Sequence, residues 1–160
     1  MKTYRYTWLL LPLILFCVDI TSKIAVMMAV PLYGTRVVIP GFFNLTLNHN
    51  HGAIFGSMSG VSATLRAVLF GLTGVVTLIY FGWELLRPET QLMHRIALGL
   101  VLGGVLGNSI DRLRYGFVVD FLDFVFLGWH YWTFNLADVF ILCGTVLLLI
   151  FSFIFLKQST

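Results

Sequence analysis

Four long apolar stretches constrain this chain more than any other feature of its sequence. They cover residues 7–30, 62–86, 92–113 and 135–156, and each can supply the roughly 20 helical residues that cross a bilayer core. Hydrophobic residues make up 59% of the 160 residues and charged residues only 11%, unlike the composition of a soluble globular domain. The sequence therefore predicts a membrane protein of four transmembrane helices.

The first stretch resembles a signal peptide because Lys2 and Arg5 precede it. It stays apolar as far as Val30, however, and no small-residue cleavage site follows, so we expect a retained helix. No repeat, low-complexity tract or charged linker divides the chain, and we expect one domain over residues 1–160.

Charge and cysteine content exclude several classes of function. A net charge of +3 from so few charged residues reflects membrane topology, so no nucleic acid partner is expected. Cys17 and Cys143 each lie within an apolar stretch, where a free thiol behaves as a small hydrophobic group. We therefore expect no disulfide, redox or zinc chemistry.

The distribution of basic residues predicts the orientation in the membrane. With four spans, one side carries five basic residues outside the spans and the other carries three. The first set is Lys2, Arg5, Arg87, Arg95 and Lys157, and the second is Arg36, Arg112 and Arg114. The positive-inside rule then predicts cytoplasmic termini and places the loops of residues 31–61 and 114–134 on the outer side.

Both outward loops contain signs of β-structure. Residues 43–48 alternate between apolar and polar side chains, which is typical of a strand, and residues 118–121 give a weaker signal. Trp129, Tyr131 and Trp132 form an aromatic cluster of the kind found at the headgroup level. The predicted fold is an all-α membrane protein with four transmembrane helices and a small extracytoplasmic β-sheet built from the two outward loops.

Polar side chains within the spans carry the functional prediction, because a charge in the bilayer needs a partner. Asp19 and Lys23 are spaced i,i+4 on one helix face, which favours an internal ion pair over direct contact with a substrate. Asn108, Asp111 and Arg112 follow a row of glycines suited to close helix packing, and they form a polar cluster or a solvated helix end.

The start of the fourth span has two alternative interpretations. Asn135 and Asp138 fit capping of a helix N-terminus, where a carboxylate is favoured by the helix dipole. The topology also places Asp138 at the same depth in the membrane as Asp111, Asp120 and Asp123. Two carboxyl groups that share a site hold one proton between them, as in aspartic proteases, so an acid–base pair is predicted here.

Other chemistries receive less support. His49 and His51 lack a third ligand at a suitable spacing, so no metal site is predicted. Ser57 and Ser59 flank Met58, which is not the pattern of a nucleophile elbow. Two alternatives to a protease stay open at this point: a carrier whose carboxylates relay ions, and a purely structural membrane scaffold.

Five ordered motifs resemble a known family, the bacterial lipoprotein signal peptidases (signal peptidase II). They are DITSK at 19–23, NHGAIF at 50–55, GGVLGNSIDR at 103–112, VDF at 119–121 and FNLAD at 134–138. Two positions differ from the family's usual pattern: Ser22 replaces threonine and Ile54 replaces alanine.

The resemblance implies an intramembrane aspartyl endopeptidase that needs no metal or cofactor. Asp120 and Asp138 would be the catalytic pair, a choice over Asp123 that the residues alone do not make. The residues that would support the site or the substrate are Asp19, Lys23, Asn50, Gly52, Asn108, Asp111, Arg112 and Asn135.

The resemblance also implies a substrate and a location. The substrate would be a prolipoprotein, cut just before a cysteine that carries a diacylglyceryl group. The expected protein is a multi-pass monomer surrounded by lipids of the bacterial inner membrane, with its active site near the outer face.

Overall fold

A computed structural model describes residues 3–52 and 61–158, with side chains for residues 5–52 and 61–153. The sequence features that lie outside the described residues are Lys2, the motif residues Ala53, Ile54 and Phe55, and the serines Ser57 and Ser59.

Four α-helices dominate the structure, and a 3₁₀-helix over Thr3–Leu9 leads into the first of them. They are α1 (Leu10–Ala29), α2 (Ala63–Leu85), α3 (Leu92–Tyr115) and α4 (Leu136–Gln158). All four are long and apolar enough to cross a membrane, which confirms the predicted four-helix membrane fold.

Helix α3 lies at the centre of the bundle and contacts the other three helices. Its glycines make this possible, because side chains at their positions would collide with neighbouring helices. A Cβ at Gly103 would press on Leu15 of α1, and one at Gly104 would overlap the carbonyl oxygen of Ala137 in α4. The glycine row therefore packs helices closely, as the sequence indicates.

Four antiparallel strands form a sheet at one end of the bundle, where α1 and α3 end and α2 and α4 begin; we call this the sheet end. The strands are β1 (Thr35–Ile39), β2 (Phe43–Asn50), β3 (Val118–Phe126) and β4 (Trp129–His130), paired in that order. Two match the predicted segments but are longer, whereas β1 and β4 were not predicted. β1 is exposed along its whole length and lacks alternation, and β4 has only two residues.

The pairing of β2 with β3 changes register along its length. Asn44 pairs with Asp123 and Leu45 pairs with Leu122, but Asn48 pairs with Asp120. One extra residue on β2 therefore forms a bulge between Leu45 and Asn48. A bulge of one residue reverses the faces on which the following side chains lie.

The sheet is attached to the bundle by apolar packing and by a sharp turn of the chain after α3. The end of α1 supplies Val26 and Val30 to an apolar cluster with Leu47, Val119 and Phe121 of the sheet. Helix α3 ends at Gly116, whose φ of +79° is a left-handed conformation that glycine adopts without strain. The chain therefore turns sharply into β3, which carries Asp120.

Candidate active site

Lys23 is the centre of a buried ionic cluster. Its ammonium group lies 2.7 Å from Oδ2 of Asp19 and 2.8 Å from Oδ2 of Asp111, and it donates a 3.2 Å hydrogen bond to Oδ1 of Asn108. No side chain of the three charged residues is more than 2% exposed. The i,i+4 pair predicted from the sequence is therefore present, with Asp111 as a second carboxylate.

The two carboxylates of this cluster also hold backbone segments that lead to the other acidic residues. Oδ1 of Asp19 accepts a 2.9 Å hydrogen bond from the Ala137 N–H, next to Asp138. Oδ2 of Asp111 accepts a 3.1 Å hydrogen bond from the Val119 N–H, next to Asp120. One buried cluster thus positions both the start of α4 and the first part of β3.

The start of α4 forms a reciprocal capping box. Oδ1 of Asn135 accepts a 3.0 Å hydrogen bond from the Asp138 N–H, and Oδ2 of Asp138 accepts a 3.2 Å hydrogen bond from the Asn135 N–H. The capping interpretation is therefore confirmed for both residues. The capping box uses only Oδ2 of Asp138, so Oδ1 of this carboxylate is left for another hydrogen bond.

A chain of side-chain amides connects Asp138 to Asp120. Asn108 donates a 2.8 Å hydrogen bond from Nδ2 to Oδ1 of Asp138. Asn135 donates from Nδ2 to Oδ1 of Asp120 at 2.7 Å, and more weakly to Oδ1 of Asn108 at 3.2 Å. The two carboxylates therefore share one hydrogen-bonded site, with Asp120 only 1% exposed and Asp138 half-buried.

The second oxygen of Asp120 has its own amide donor. Asn50 donates from Nδ2 to Oδ2 of Asp120 at 2.9 Å, while its Oδ1 accepts from the Gly52 N–H at 2.8 Å. The Gly52 contact fixes which end of the Asn50 amide faces Asp120. Gly52 has a φ of +93°, and a Cβ at this position would collide with Phe70, so glycine is required twice over.

This environment changes the acidity of Asp120. Burial, followed by the negative charge of Asp138, raises the pKa of Asp120 to about 7 against the opposing hydrogen bonds of Asn50 and Asn135. A carboxyl group with this pKa is partly protonated at neutral pH. The site can therefore hold a proton donor and an ionised carboxylate side by side.

Asp123 occupies a separate site on the sheet. Its Oδ2 accepts hydrogen bonds from Asn44 at 3.1 Å and Thr46 at 2.9 Å, and His130 lies 3.0 Å from the carboxylate. Burial tends to raise the pKa of Asp123, but these hydrogen bonds outweigh burial and lower it. The structure thus brings together Asp111, Asp120 and Asp138 of the predicted group and separates Asp123 from them.

Arg112 stands beside the carboxylate pair. It lies close enough to Asp138, Asp120 and Asp111 to attract all three carboxylates, and its guanidinium group is 4.5 Å from the ring centre of Phe70. Among the described residues it donates a single hydrogen bond, to the Asn108 carbonyl oxygen, and this bond is long at 3.4 Å. Arg112 therefore provides positive charge at the site without being saturated by hydrogen bonds.

The two histidines near the site belong to an aromatic stack. The ring of His49 lies 3.7 Å from that of Phe117, almost parallel to it, and His51 meets Phe117 edge-on. Burial, and then the neighbouring charge of His51, lowers the pKa of His49. Within residues 3–52 and 61–158, no group of three His, Cys, Asp or Glu side chains could hold a metal ion.

Two residues near the site, Arg66 and Phe70, were not predicted from the sequence; both line a cavity together with Arg112. Arg66 was left out of the topology count because it falls within a span, although an arginine in a span itself signals a functional site. Phe70 carries no signal in the sequence, since a phenylalanine in an apolar helix is unremarkable.

Comparison with known proteins identifies the family to which the chain belongs. The family model described as Signal peptidase (SPase) II matches residues 11–154. A lipoprotein signal peptidase of Ralstonia nicotianae is 45% identical over 89% of this chain and 82% of its own length. One of Burkholderia vietnamiensis is 44% identical over 89% of this chain and 84% of its own.

The fold is also similar to that of a solved bacterial membrane enzyme. A bacterial membrane enzyme solved by the in meso method at 2.3 Å resolution is similar with a TM-score of 0.80 and 29% identity. The match covers 96% of this chain and 90% of that one. The family model spans most of the chain and both relatives are more than 40% identical. This chain therefore belongs to the signal peptidase II family.

Proposed function

We propose that this protein is an aspartyl endopeptidase that removes the signal peptide from prolipoproteins, with Asp120 and Asp138 as its catalytic pair. The observation that carries the proposal is the hydrogen-bonded site shared by these two carboxylates. The substrate class follows from the relatives, which are lipoprotein signal peptidases. Cleavage just before a diacylglyceryl-modified cysteine is part of the same proposal.

The environment of the pair favours a division of roles. Asp120, whose pKa is about 7, carries the proton, and Asp138 is the ionised member that activates water. The ionised Asp138 accepts a proton from water as the water oxygen attacks the scissile carbonyl carbon. At the same time Asp120 donates its proton to the carbonyl oxygen.

Breakdown of the resulting tetrahedral intermediate restores the pair. Asp138 gives its proton to the amide nitrogen, the C–N bond breaks, and Asp120 recovers a proton from the intermediate's hydroxyl. The products are a free amine on the cysteine and a carboxylic acid at the end of the signal peptide, which ionises in water. Water is the only co-reactant, so the proposed reaction needs no cofactor.

The supporting residues have positioning roles in this scheme. Asn108 and Asn135 orient the pair, the Lys23 cluster holds the backbone beside each carboxylate, and Gly52 fixes the amide of Asn50. Arg112 is suited to stabilise negative charge that develops on the substrate.

The location of the protein completes the proposal. We place it in the bacterial inner membrane as a one-domain monomer with cytoplasmic termini and the sheet end at the outer face. Support comes from the excess of basic residues on the side of the termini and from the position of the carboxylate pair at the sheet end, level with the first turn of α4. A lipid-modified cysteine at the membrane surface would reach that depth.

The test is a gel-shift assay of purified protein in detergent with a diacylglyceryl-modified prolipoprotein. Asp120→Asn and Asp138→Asn should each reduce the cleavage rate by on the order of ten thousandfold. Asp123→Asn is the matched control, because it changes a buried carboxylate of the same strand outside the site, and it should retain cleavage.

Thermal unfolding of each variant separates loss of chemistry from loss of fold. Cleavage retained by a folded Asp120→Asn or Asp138→Asn variant would refute the catalytic assignment. A wild-type protein that leaves the lipidated precursor intact would refute the function itself and return attention to the carrier.

A further inference from the structure

A cavity of about 260 Å³ lies between α2 and α3, and the proposed reaction steps assign it no role. Much of its wall is apolar, including Phe70, Val75 and Leu78, and small residues such as Ala63, Ala67 and Gly71 leave room along α2. Two arginines, Arg66 and Arg112, belong to the same wall. The cavity therefore suits a ligand that is apolar along its length and anionic at one point.

Among residues 3–52 and 61–158, Arg66 has no ion-pair partner. Its Nε is buried without a hydrogen-bond partner among the described residues, and none of their ion pairs includes its guanidinium group. Residues 53–60, which precede α2 and are not described, contain no aspartate or glutamate. A charged side chain in a membrane span usually pairs with another group or faces a cavity, and Arg66 lines this cavity, so it is available for a ligand.

Arg112 connects this cavity to the carboxylate pair. It lines the cavity, and it also lies within electrostatic reach of Asp138 and Asp120. An anion formed at the pair is therefore attracted by Arg112, which shares the cavity wall with Arg66. A lipid phosphate from the surrounding membrane would have no such relation to the reacting atoms.

We propose that the cavity receives the carboxyl end of the cleaved signal peptide and that Arg66 pairs with its new α-carboxylate. This inference rests on the proposed function, because hydrolysis creates that carboxylate. Asp138, ionised once it has given up its proton, repels the new carboxylate, whereas Arg112 and Arg66 attract it. A signal peptide is apolar and has small residues before the cleavage site, which matches the walls of the cavity.

The released signal peptide is then a product inhibitor that the protein recognises by the negative charge of its α-carboxylate. The test measures binding of a fluorescently labelled signal-peptide fragment to the purified full chain by fluorescence anisotropy. One fragment ends in a free α-carboxylate and the other in an α-carboxamide of the same sequence. The carboxylate should bind about tenfold more tightly, as expected for a charge-assisted pair in a partly buried site.

Three variants test whether Arg66 causes the preference for the carboxylate fragment. Arg66→Gln should abolish the preference for the carboxylate, and Arg66→Lys should retain part of it. Arg114→Gln is the matched control: Arg114 is an exposed arginine in the last turn of α3 that contacts its neighbour Tyr115, and this change should leave the preference intact. Thermal unfolding confirms that each variant is folded.

Several results would overturn the inference. Equal binding of the two fragments to wild type would do so, and so would a preference that survives in Arg66→Gln. If phosphatidylglycerol added to the micelles abolished fragment binding while phosphatidylcholine did not, and no carboxylate preference was seen, Arg66 would be assigned to an anionic lipid headgroup instead. Precursor cleavage by the same wild-type preparation shows that such a failure concerns the cavity and leaves the proposed function standing.

Discussion

The side-chain amide of Asn50 donates a 2.9 Å hydrogen bond to Oδ2 of Asp120 and thereby favours the ionised carboxylate. Removing this donor in Asn50→Ala should raise the pKa of Asp120 further above about 7. Since the proposed mechanism needs a proton on Asp120, activity falls as pH rises through this pKa. Asn50→Ala should therefore move the fall in kcat to a higher pH, by about 1 pH unit.

The pH profile of precursor cleavage between pH 5 and pH 9, about two units on each side of that pKa, measures this change. Asn48→Ala is the control, because Asn48 lies on the same strand and donates to Thr133. A fall in kcat at the same pH in wild type and Asn50→Ala would show that Asp120 is not the group that must be protonated.

Removing the buried ammonium group of Lys23 should be strongly destabilising. Lys23→Met would leave Asp19 and Asp111 as two buried carboxylates without their counter-ion. The expected loss is about 3–5 kcal/mol in the free energy of unfolding, the usual consequence of breaking a buried ion pair. Unfolding in detergent, followed by circular dichroism, gives the measurement.

Arg87→Gln provides the comparison with an exposed ion pair. Arg87 is 43% exposed and lies 3.2 Å from Glu84, so its removal should cost less than about 1 kcal/mol. Similar losses for Lys23→Met and Arg87→Gln would contradict the view that the Lys23 cluster holds the bundle together.

The close approach of α3 and α4 depends on a missing side chain. Gly104→Ala would drive a Cβ against the Ala137 carbonyl oxygen and Ile141, and should destabilise the protein by about 1–3 kcal/mol. Because Asp138 follows Ala137, activity should fall as well. The same substitution at Gly82 of α2, where a Cβ meets nothing within 4 Å, should instead stabilise the protein by up to about 1 kcal/mol.

Thermal unfolding and precursor cleavage of the two glycine variants form a direct comparison. If Gly104→Ala were as stable and as active as Gly82→Ala, α3 and α4 could move apart without loss of stability or activity.

The four spans were predictable because bilayer thickness fixes helix length, and the bounds differ by only a few residues. The first differs most at its start, where the predicted helix begins at residue 7 and the structure has a 3₁₀-helix as far as Leu9. The third continues to Tyr115 instead of residue 113, because Gly116 supplies the left-handed conformation that ends it. Polar residues near a helix end do not by themselves stop the helix.

The site was only partly predictable. The i,i+4 spacing of Asp19 and Lys23 determines that these two meet, but the contact with Asp111 depends on how α3 rotates against α1. Asp120 and Asp123 are three residues apart on a strand, so alternation places them on opposite faces. Which face meets α4 is decided by packing of the sheet on the bundle, and residue spacing does not contain that information.

The bulge in the β2–β3 ladder has a consequence for any attempt to regularise this sheet. Asn44 and Asn50 are both even-numbered, so an uninterrupted strand would present them on the same face, yet they contact Asp123 and Asp120 on opposite faces of β3. The extra residue between Leu45 and Asn48 lets one short strand supply an amide to both sides. A version of this hairpin without the extra residue would still contain both asparagines and both aspartates. Asn50 would then lie on the opposite face of the sheet from Asp120.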